Sequence, residues 1–296
     1  MKKMKLTLTT LAASLVIMTF AAAAQATVLR AFVSSTGNDV NIGANCVQAT
    51  PCKTFAVAIG AVTAGGELIA LDTSGYGPVT INKAITIATV PGATAFVVAA
   101  TGTAAFTITG AASDLVILRN INFNGSNAPS TTGVQDNSGK LIIEDCKFAQ
   151  LTTGLAVAGG KAMISNSSFA GNGDGLAVSA AGKATAVSSK FVGNTTRGVY
   201  ATGANSEIYL DTVQVVYNNI GVRGDNSAAG GQGTNDGGRV LINFCVITDN
   251  TTGVDGIASS FAVVPRISGQ RFNTIEGNAA GNDCGTITGG SGYSGK

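Results

Sequence analysis

The chain repeats one pattern of hydrophobic and polar positions. From Val116 to Phe123 it reads Val-Ile-Leu-Arg-Asn-Ile-Asn-Phe. The same eight-residue shape returns at Leu141 to Phe148, Ala162 to Phe169, Ala184 to Phe191, Ile208 to Val215 and Val240 to Ile247, with a weaker copy at Pro265 to Phe272. Positions one, three, six and eight are mostly apolar or small. Positions two, four, five and seven read as mostly polar. Period-two alternation puts successive side chains on opposite faces of a strand. Here the alternation changes phase between positions three and six, which predicts two short strands meeting at a bend.

A second mark follows most copies, a glycine and then an aliphatic residue: Gly133-Val134, Gly154-Leu155, Gly175-Leu176, Gly198-Val199, Gly221-Val222 and Gly253-Val254. It predicts a third strand, begun after a turn that glycine permits. Three strands in each short repeat, about a dozen coils in all, define an all-β right-handed parallel β-helix, a solenoid. Amphipathic helices fit poorly with so much Gly, Asn, Thr and Val. An antiparallel sandwich lacks so regular a period. Asn172, Asn194, Asn218 and Asn250 each fall three residues after an eighth position. Stacked coils would place these amides in one hydrogen-bonded ladder along the axis.

Upstream, Leu68 to Leu71, Val79 to Ile81, Ile85 to Ile87, Ala95 to Val98 and Ala105 to Ile108 read as further strands. Before them Thr54 can cap a short helix carrying Phe55, Ala58, Ile59 and Val62 at i, i+3, i+4 and i+7. Such a helix would cover the open amino-terminal end of the coil stack. Residues 1–26 have the form of a signal peptide. Lys2, Lys3 and Lys5 precede an apolar run, and Ala24-Gln25-Ala26 is a small-x-small cleavage site. An uncleaved anchor is the alternative. The domain plan is therefore a signal at 1–26, the β-helix with its cap at 27–285, and a Gly/Ser-rich tail at 286–296. Export implies a secreted or periplasmic protein with no membrane span after signal removal.

Composition narrows the chemistry. The chain has 18 Lys+Arg and 16 Asp+Glu. Removing the three signal lysines leaves 18 − 3 = 15 basic residues, a net charge of −1. Nothing in that balance attracts nucleic acid or an anionic membrane. With 0 His, the usual acid–base group and zinc ligand is absent. Of 5 cysteines, Cys46 and Cys52 enclose a short Pro-containing loop and are the expected disulfide in an oxidising compartment. Cys146 and Cys245 occupy equivalent positions of distant repeats and read as small core residues. Cys284 lies near the tail.

The segments Phe32-Val33-Ser34-Ser35-Thr36-Gly37-Asn38-Asp39, Pro51-Cys52-Lys53-Thr54-Phe55 with Ala58, Gly65-Gly66 and Gly75-Tyr76-Gly77 resemble the opening of secreted bacterial right-handed β-helix proteins of the pectate-lyase-like superfamily. The repeats after Val116 resemble their later coils. The resemblance implies the fold strongly and activity weakly, because many members are sugar lyases or hydrolases and many have no assigned activity. The hydrolases of that group carry an aspartate triad and a histidine, and this chain has no histidine.

Lysis by β-elimination needs a carboxylate cluster for calcium beside an Arg or Lys base. Register places Arg119, Glu144, Ser165, Val187, Asp211 and Asn243 in one outward column, with no paired carboxylates beside a base. The best cluster is the column after the glycine mark: Gln135, Ala156, Ala177, Tyr200, Arg223 and Asp255. Tyr200 and Arg223 should be neighbours, with Arg197 in the adjoining turn, and an aromatic beside a guanidinium can hold a sugar. Surface decoration is the plainer alternative. No catalytic or metal site is assigned. No cofactor is expected, and calcium has one opening, at Asp225, Asn226, Asn235 and Asp236 in the Gly-rich insertion from Gly224 to Gly238, which otherwise reads as a solvated loop. Arg223-Gly224-Asp225 also spells an adhesion tripeptide, a common chance occurrence. The expected role is a non-catalytic exported monomer that binds a polysaccharide or cell-surface glycan along its flank. A uronan lyase and a structural or adhesion element are the alternatives.

Overall fold

A computed structural model describes residues 27–137, 139–225, 238–256, 261–263 and 273–279. The signal segment, Asn226, Asn235, Asp236, Cys284 and the tail lie outside the described residues. The chain forms three parallel sheets of ten, eight and nine strands, each joined to the next coil in register. This is a right-handed parallel β-helix. Its longest sheet has ten strands, so the described coils are fewer than the dozen expected. No helix among the described residues is long and apolar enough to cross a membrane.

One coil shows how the repeat makes the fold. Leu115–Arg119 lies in the ten-stranded sheet and Ile121–Asn124 in the nine-stranded sheet. Between them Asn120 has φ +56°, and the same slot holds Asp145, Asn166, Ser188, Thr212 and Phe244, all at positive φ. A left-handed residue between two extended segments turns the chain and reverses its in–out phase, so Val116 and Leu118 point inward, then Ile121 and Phe123. A second left-handed column comes two residues after the eighth position in the six coils from Phe148 onward: Gln150, Gly171, Gly193, Tyr217, Asp249 and Gly277. The next residue in four of these coils is a ladder asparagine turned inward.

Two sequence expectations need a different reason or a correction. The glycines of the second mark have no positive φ. They are required by close approach: a Cβ on Gly154 would stand 2.5 Å from the Gly175 carbonyl oxygen and 2.8 Å from the Phe169 ring. Among the six full copies, position two is apolar or aromatic in all but the one with Thr185. Ile117, Ile142, Met163, Tyr209 and Leu241 occupy it, outward and partly exposed on the ten-stranded sheet.

The core is a column of rings. Phe106, Phe123, Phe148, Phe169 and Phe191 follow one another with centroids 4.5–5.1 Å apart. Each fully buried ring or aliphatic side chain contributes ~1.5–3 kcal/mol, realised only when coils stack. Phe55 extends the column at the amino-terminal end, 5.8 Å from Phe106 and 5.1 Å from Tyr76.

The helix is shorter than its periodicity predicts. It spans Phe55–Ala58, with Thr54 accepting a capping bond from the Val57 amide at 3.3 Å, then tightens to a 3-10 turn at Ile59–Ala61. Gly60 weakens a second turn. Val62 instead opens the strand Val62–Ala70, where it is buried and pairs with Val28. The partner strand, Val28–Val33, is an edge strand the sequence reading missed.

The disulfide Cys46–Cys52 closes the loop after this strand. Nearby, Asp72 ties the first two strands of the stack together. Its carboxylate accepts bonds from the Ser34 and Ser35 hydroxyls, each at 2.8 Å, from the Ser35 amide at 3.0 Å, and from the Tyr76 hydroxyl. Burial pushes its pKa up, but these donors outweigh burial and bring it down to about 2.

The last coil corrects the weaker copy. Phe261–Val263 pairs with Val240 to Ile242, and Thr274–Glu276 pairs with Val246 to Thr248. Ile275, not Phe272, therefore takes the eighth position, and ten residues lie between the two strands of this coil. Asn278 falls three residues after Ile275.

Corner lengths differ in kind. In the five coils that begin at Lys140, Lys161, Lys183, Glu207 and Arg239, the first corner always holds two residues, as Asp145 and Cys146 do. The asparagine corner holds three or four. The third corner, back to the ten-stranded sheet, ranges from the two residues between Ala158 and Lys161 to the thirteen between Asp225 and Arg239.

Candidate functional site

The ladder is a continuous chain of amides. Asn172, Asn194, Asn218 and Asn250 are each at most 2% exposed. Their Nδ2 atoms donate to Oδ1 of the next asparagine at 3.1, 2.8 and 2.9 Å, and Asn250 donates to Asn278 at 3.0 Å. Each Oδ1 also accepts the backbone N–H of the preceding rung, as Asn194 Oδ1 does from Asn172 at 3.1 Å. Each Nδ2 reaches back to an eighth-position carbonyl, as Asn194 does to Phe169 at 3.1 Å. These groups are structural, since their capacity is spent within the core.

The outward cluster forms on the eight-stranded sheet, in strands Asp174–Ser179, Arg197–Thr202, Ile220–Asp225 and Thr252–Gly256. Register aligns Ala177, Tyr200, Arg223 and Asp255, and separately aligns Asp174 with Arg197. Gly198 and Val199 are both buried, so the strand bends there and Arg197 and Tyr200 emerge on the same side. Arg197 thus stands at the start of a strand, not in the turn expected for it.

The geometry is tightly paired. The Arg197 guanidinium carbon lies 3.6 Å from the Tyr200 ring centroid. The guanidinium grips Asp174 with two bonds, Nε to Oδ1 at 2.8 Å and Nη2 to Oδ2 at 2.7 Å. Tyr200 donates its hydroxyl to Asp225 Oδ2 at 2.8 Å. Arg223 Nε donates to Asp225 Oδ1 at 3.0 Å, and Arg223 Nη1 lies 3.2 Å from Asp255 Oδ2. Asp225 is the last residue of a strand rather than part of a free loop. Asp174 belongs to the cluster and was missed by the column argument, because it aligns with Arg197, three residues before Tyr200 in the strand.

The electrostatics oppose base catalysis. Burial disfavours charge on Arg197, but the Asp174 hydrogen bonds and charge outweigh it and raise the pKa. The Asp225 hydrogen bond does the same for Arg223. Burial pulls Asp225 up, and the bonds from Arg223 and Tyr200 with the two guanidinium charges bring it below the usual carboxylate range. A guanidinium held more firmly protonated is the reverse of the neutral base that β-elimination needs. Among the described residues no group of three or more His, Cys, Asp or Glu is placed to hold a metal ion. Arg119 and Glu144 form an exposed ion pair on the ten-stranded sheet, and Tyr209 and Asp211 lie on that sheet too. Neither residue joins the cluster.

Fold and cluster together define a parallel β-helix with a polar flank site on one sheet. The chain belongs to the right-handed β-helix region family, whose pattern matches residues 104–280. Among solved structures it resembles the pectate lyase Pel9A, with TM-score 0.62 and 16% identity over 91% of this chain and 80% of that one. It also matches the GH136 lacto-N-biosidase from Eubacterium ramulus, with TM-score 0.38 and 11% identity over 88% of this chain and 67% of that one. A third match is ORF18 of Geobacillus virus E2, with TM-score 0.34 and 14% identity over 77% of this chain and 55% of that one. The likeness to Pel9A extends to the fold alone. No curated protein matches the sequence.

Proposed function

We propose that the chain is exported and binds a hydroxyl-rich glycan along its flank, without cleaving it, at Arg197, Tyr200, Arg223 and Asp255. One observation carries this reading: Arg197 stacked on Tyr200, with carboxylates holding the outer edge of the guanidinium and the phenol hydroxyl. That arrangement is a flat platform whose parts cannot swing away, so little side-chain freedom is lost when a sugar ring settles on it. Ala156 and Ala177 continue the column as a low floor beside Tyr200.

The charge selects the ligand class. Three carboxylates face two guanidiniums, so the acidic group of a uronic acid meets positions that aspartates already hold. A neutral polysaccharide, with hydroxyls that both donate and accept, suits the site better. Export is supported by the signal-like first residues and by the Cys46–Cys52 disulfide.

Titration calorimetry against a panel of neutral and uronic polysaccharides tests the proposal. Binding to a neutral glycan should occur in the wild type and weaken by roughly 10-fold or more in Tyr200→Ala, as for a central aromatic anchor. Glycan binding that survives both Tyr200→Ala and Arg223→Ala would remove the site from the proposal. Release of unsaturated, ultraviolet-absorbing uronides, abolished by Arg223→Ala, would replace binding with the lyase reading.

A further inference from the structure

Tyr217 breaks the rule of its column. The left-handed slot after the eighth position is otherwise held by Gln150, Gly171, Gly193, Asp249 and Gly277, three glycines and two polar residues. Tyr217 takes φ +59° there. A bulky side chain in that region is strained. Burial does not offset the strain, since Tyr217 is 66% exposed. Among the described residues it makes no hydrogen bond, ion pair or ring contact. Tyr76 and Tyr200, by contrast, both donate their hydroxyls to aspartates. Strain held at an exposed aromatic with no partner inside the chain points to a partner outside it.

The place of Tyr217 says which partner. It stands at the asparagine corner, where the chain passes from the nine-stranded sheet to the eight-stranded sheet that carries the flank cluster. Three residues on, Ile220 pairs with Arg197, and Arg197 leads in three more residues to Tyr200. The Asn219 amide donates to the Asn194 carbonyl at 3.2 Å and the Ile220 amide to the Thr196 carbonyl at 3.1 Å, so this corner is locked to the coil before it. Six residue steps at ~3.3 Å each put Tyr200 roughly 20 Å from Tyr217 along the surface. Asn219 and Thr196 lie on that path and are exposed. Among the described residues their side chains make no hydrogen bond. A Cβ on Gly193, the neighbour of Tyr217 in the coil before, would meet nothing within 4 Å, which leaves open room on that side.

We propose that Tyr217 is a second sugar platform of the flank site, and that a neutral glycan crosses the asparagine corner from Tyr217, over Asn219 and Thr196, to Arg197 and Tyr200. This rests on the glycan reading of that site and adds a direction to it, across the coils rather than along the stack. A tyrosine ring offers an apolar face to the C–H side of a sugar and a hydroxyl at its rim. The Asn219 amide and the Thr196 hydroxyl both donate and accept, as sugar hydroxyls do. Asp249 follows Tyr217 in the column and Asp174 borders Arg197, so an acidic polymer is disfavoured at both ends of the path. For an oligosaccharide long enough to span both rings, contact with the second is intramolecular and adds affinity. A disaccharide reaches one ring only.

Titration calorimetry with the disaccharide and the hexasaccharide of the cello, xylo and manno series tests this. In at least one series the wild type should bind the hexasaccharide roughly 10-fold more tightly than the disaccharide. Tyr217→Asn should abolish that gain, bringing the hexasaccharide down to the affinity of the disaccharide. Asn accepts the left-handed slot, so this variant should melt no lower than wild type. Tyr217→Phe, which keeps the ring, should keep most of the gain. Tyr200→Ala should weaken both probes. A gain that survives Tyr217→Asn, or a wild type that shows no gain, overturns the second platform while the first stands. A Tyr217→Asn chain that melts lower and loses both probes overturns it too, since Tyr217 would then be structural. If no series binds, or if binding withstands Tyr200→Ala, the glycan reading itself falls and this inference falls with it.

Discussion

Asn194 donates its side-chain amide to Asn218 at 2.8 Å, and the same Asn218 oxygen accepts the Asn194 backbone N–H at 2.9 Å. One oxygen thus serves two donors of the coil before it, in a place that water does not reach. Replacing Asn218 with Ala leaves the Asn194 backbone N–H without that acceptor and its side-chain amide with the Phe169 carbonyl alone. We expect a loss of ~1–3 kcal/mol for each buried group so stranded. Asn219→Ala, next door but exposed, should change little. Denaturant unfolding of the two variants checks this, and equal midpoints would dismiss the ladder as a source of stability.

Gly154→Ala should be more damaging than its one added methyl suggests. The new Cβ has no room between the Gly175 carbonyl and the Phe169 ring. Overpacking of this kind costs ~1–3 kcal/mol, because stacked coils cannot separate locally. Gly171→Ala, at φ +65° with open space around it, would suffer backbone strain alone. Thermal melts that rank Gly171→Ala as the worse of the two would contradict the close-approach explanation.

Acid should weaken the amino-terminal end through Asp72. Its folded pKa is depressed to about 2. A depressed carboxylate contributes stability that is fully present above its unfolded pKa, about 4. That contribution fades as pH falls toward 2, where the folded form also takes up the proton. Asp72→Asn should therefore lower the melting temperature at neutral pH and flatten its fall between pH 4 and 2. Parallel melting curves for wild type and variant across that window are the contrary result.

Cys46, Cys52, Cys146 and Cys245 should divide into two chemical states. Peptide mapping without reduction should find Cys46 joined to Cys52. The loop is short, and the chain-entropy estimate for its closure is ~2 kcal/mol, which reduction should remove. Burial pushes the Cys146 thiol up to about 12 and the Cys245 thiol up to about 11. Both should resist alkylation at pH 8 in the folded protein and react on unfolding. Rapid native labelling of Cys146 would mean that its coil opens locally.

The repeat was legible because burial imposes a period of two and stacking imposes a period of one coil. Those two rules alone align Tyr200 with Arg223. Asp174 stands in register with Arg197 one strand away, but with Arg197 assigned to a turn that column was not read, and Asp174 went unseen. The bend at Gly198, where two successive residues turn inward, could not be read from alternation, and Arg197 was assigned to a turn. Asn278 escaped because ten residues separate Val263 from Thr274, and counting from Phe272 missed the offset. The apolar character of position two was in plain view as Ile117, Ile142, Met163 and Leu241, and it was passed over because outward positions on a strand are expected to be polar.

The unequal corners divide the work of the molecule. At the corner that holds Asp145, the five coils beginning at Lys140, Lys161, Lys183, Glu207 and Arg239 all use two residues, and a single added residue would throw the ring column out of step with its neighbours. Thirteen residues lie between Asp225 and Arg239, where another coil uses two, and Arg239 still pairs in register with Glu207. New sequence can therefore enter at that one edge without disturbing the spine. A lineage of such chains can keep an old architecture while rewriting the margin beside Arg223.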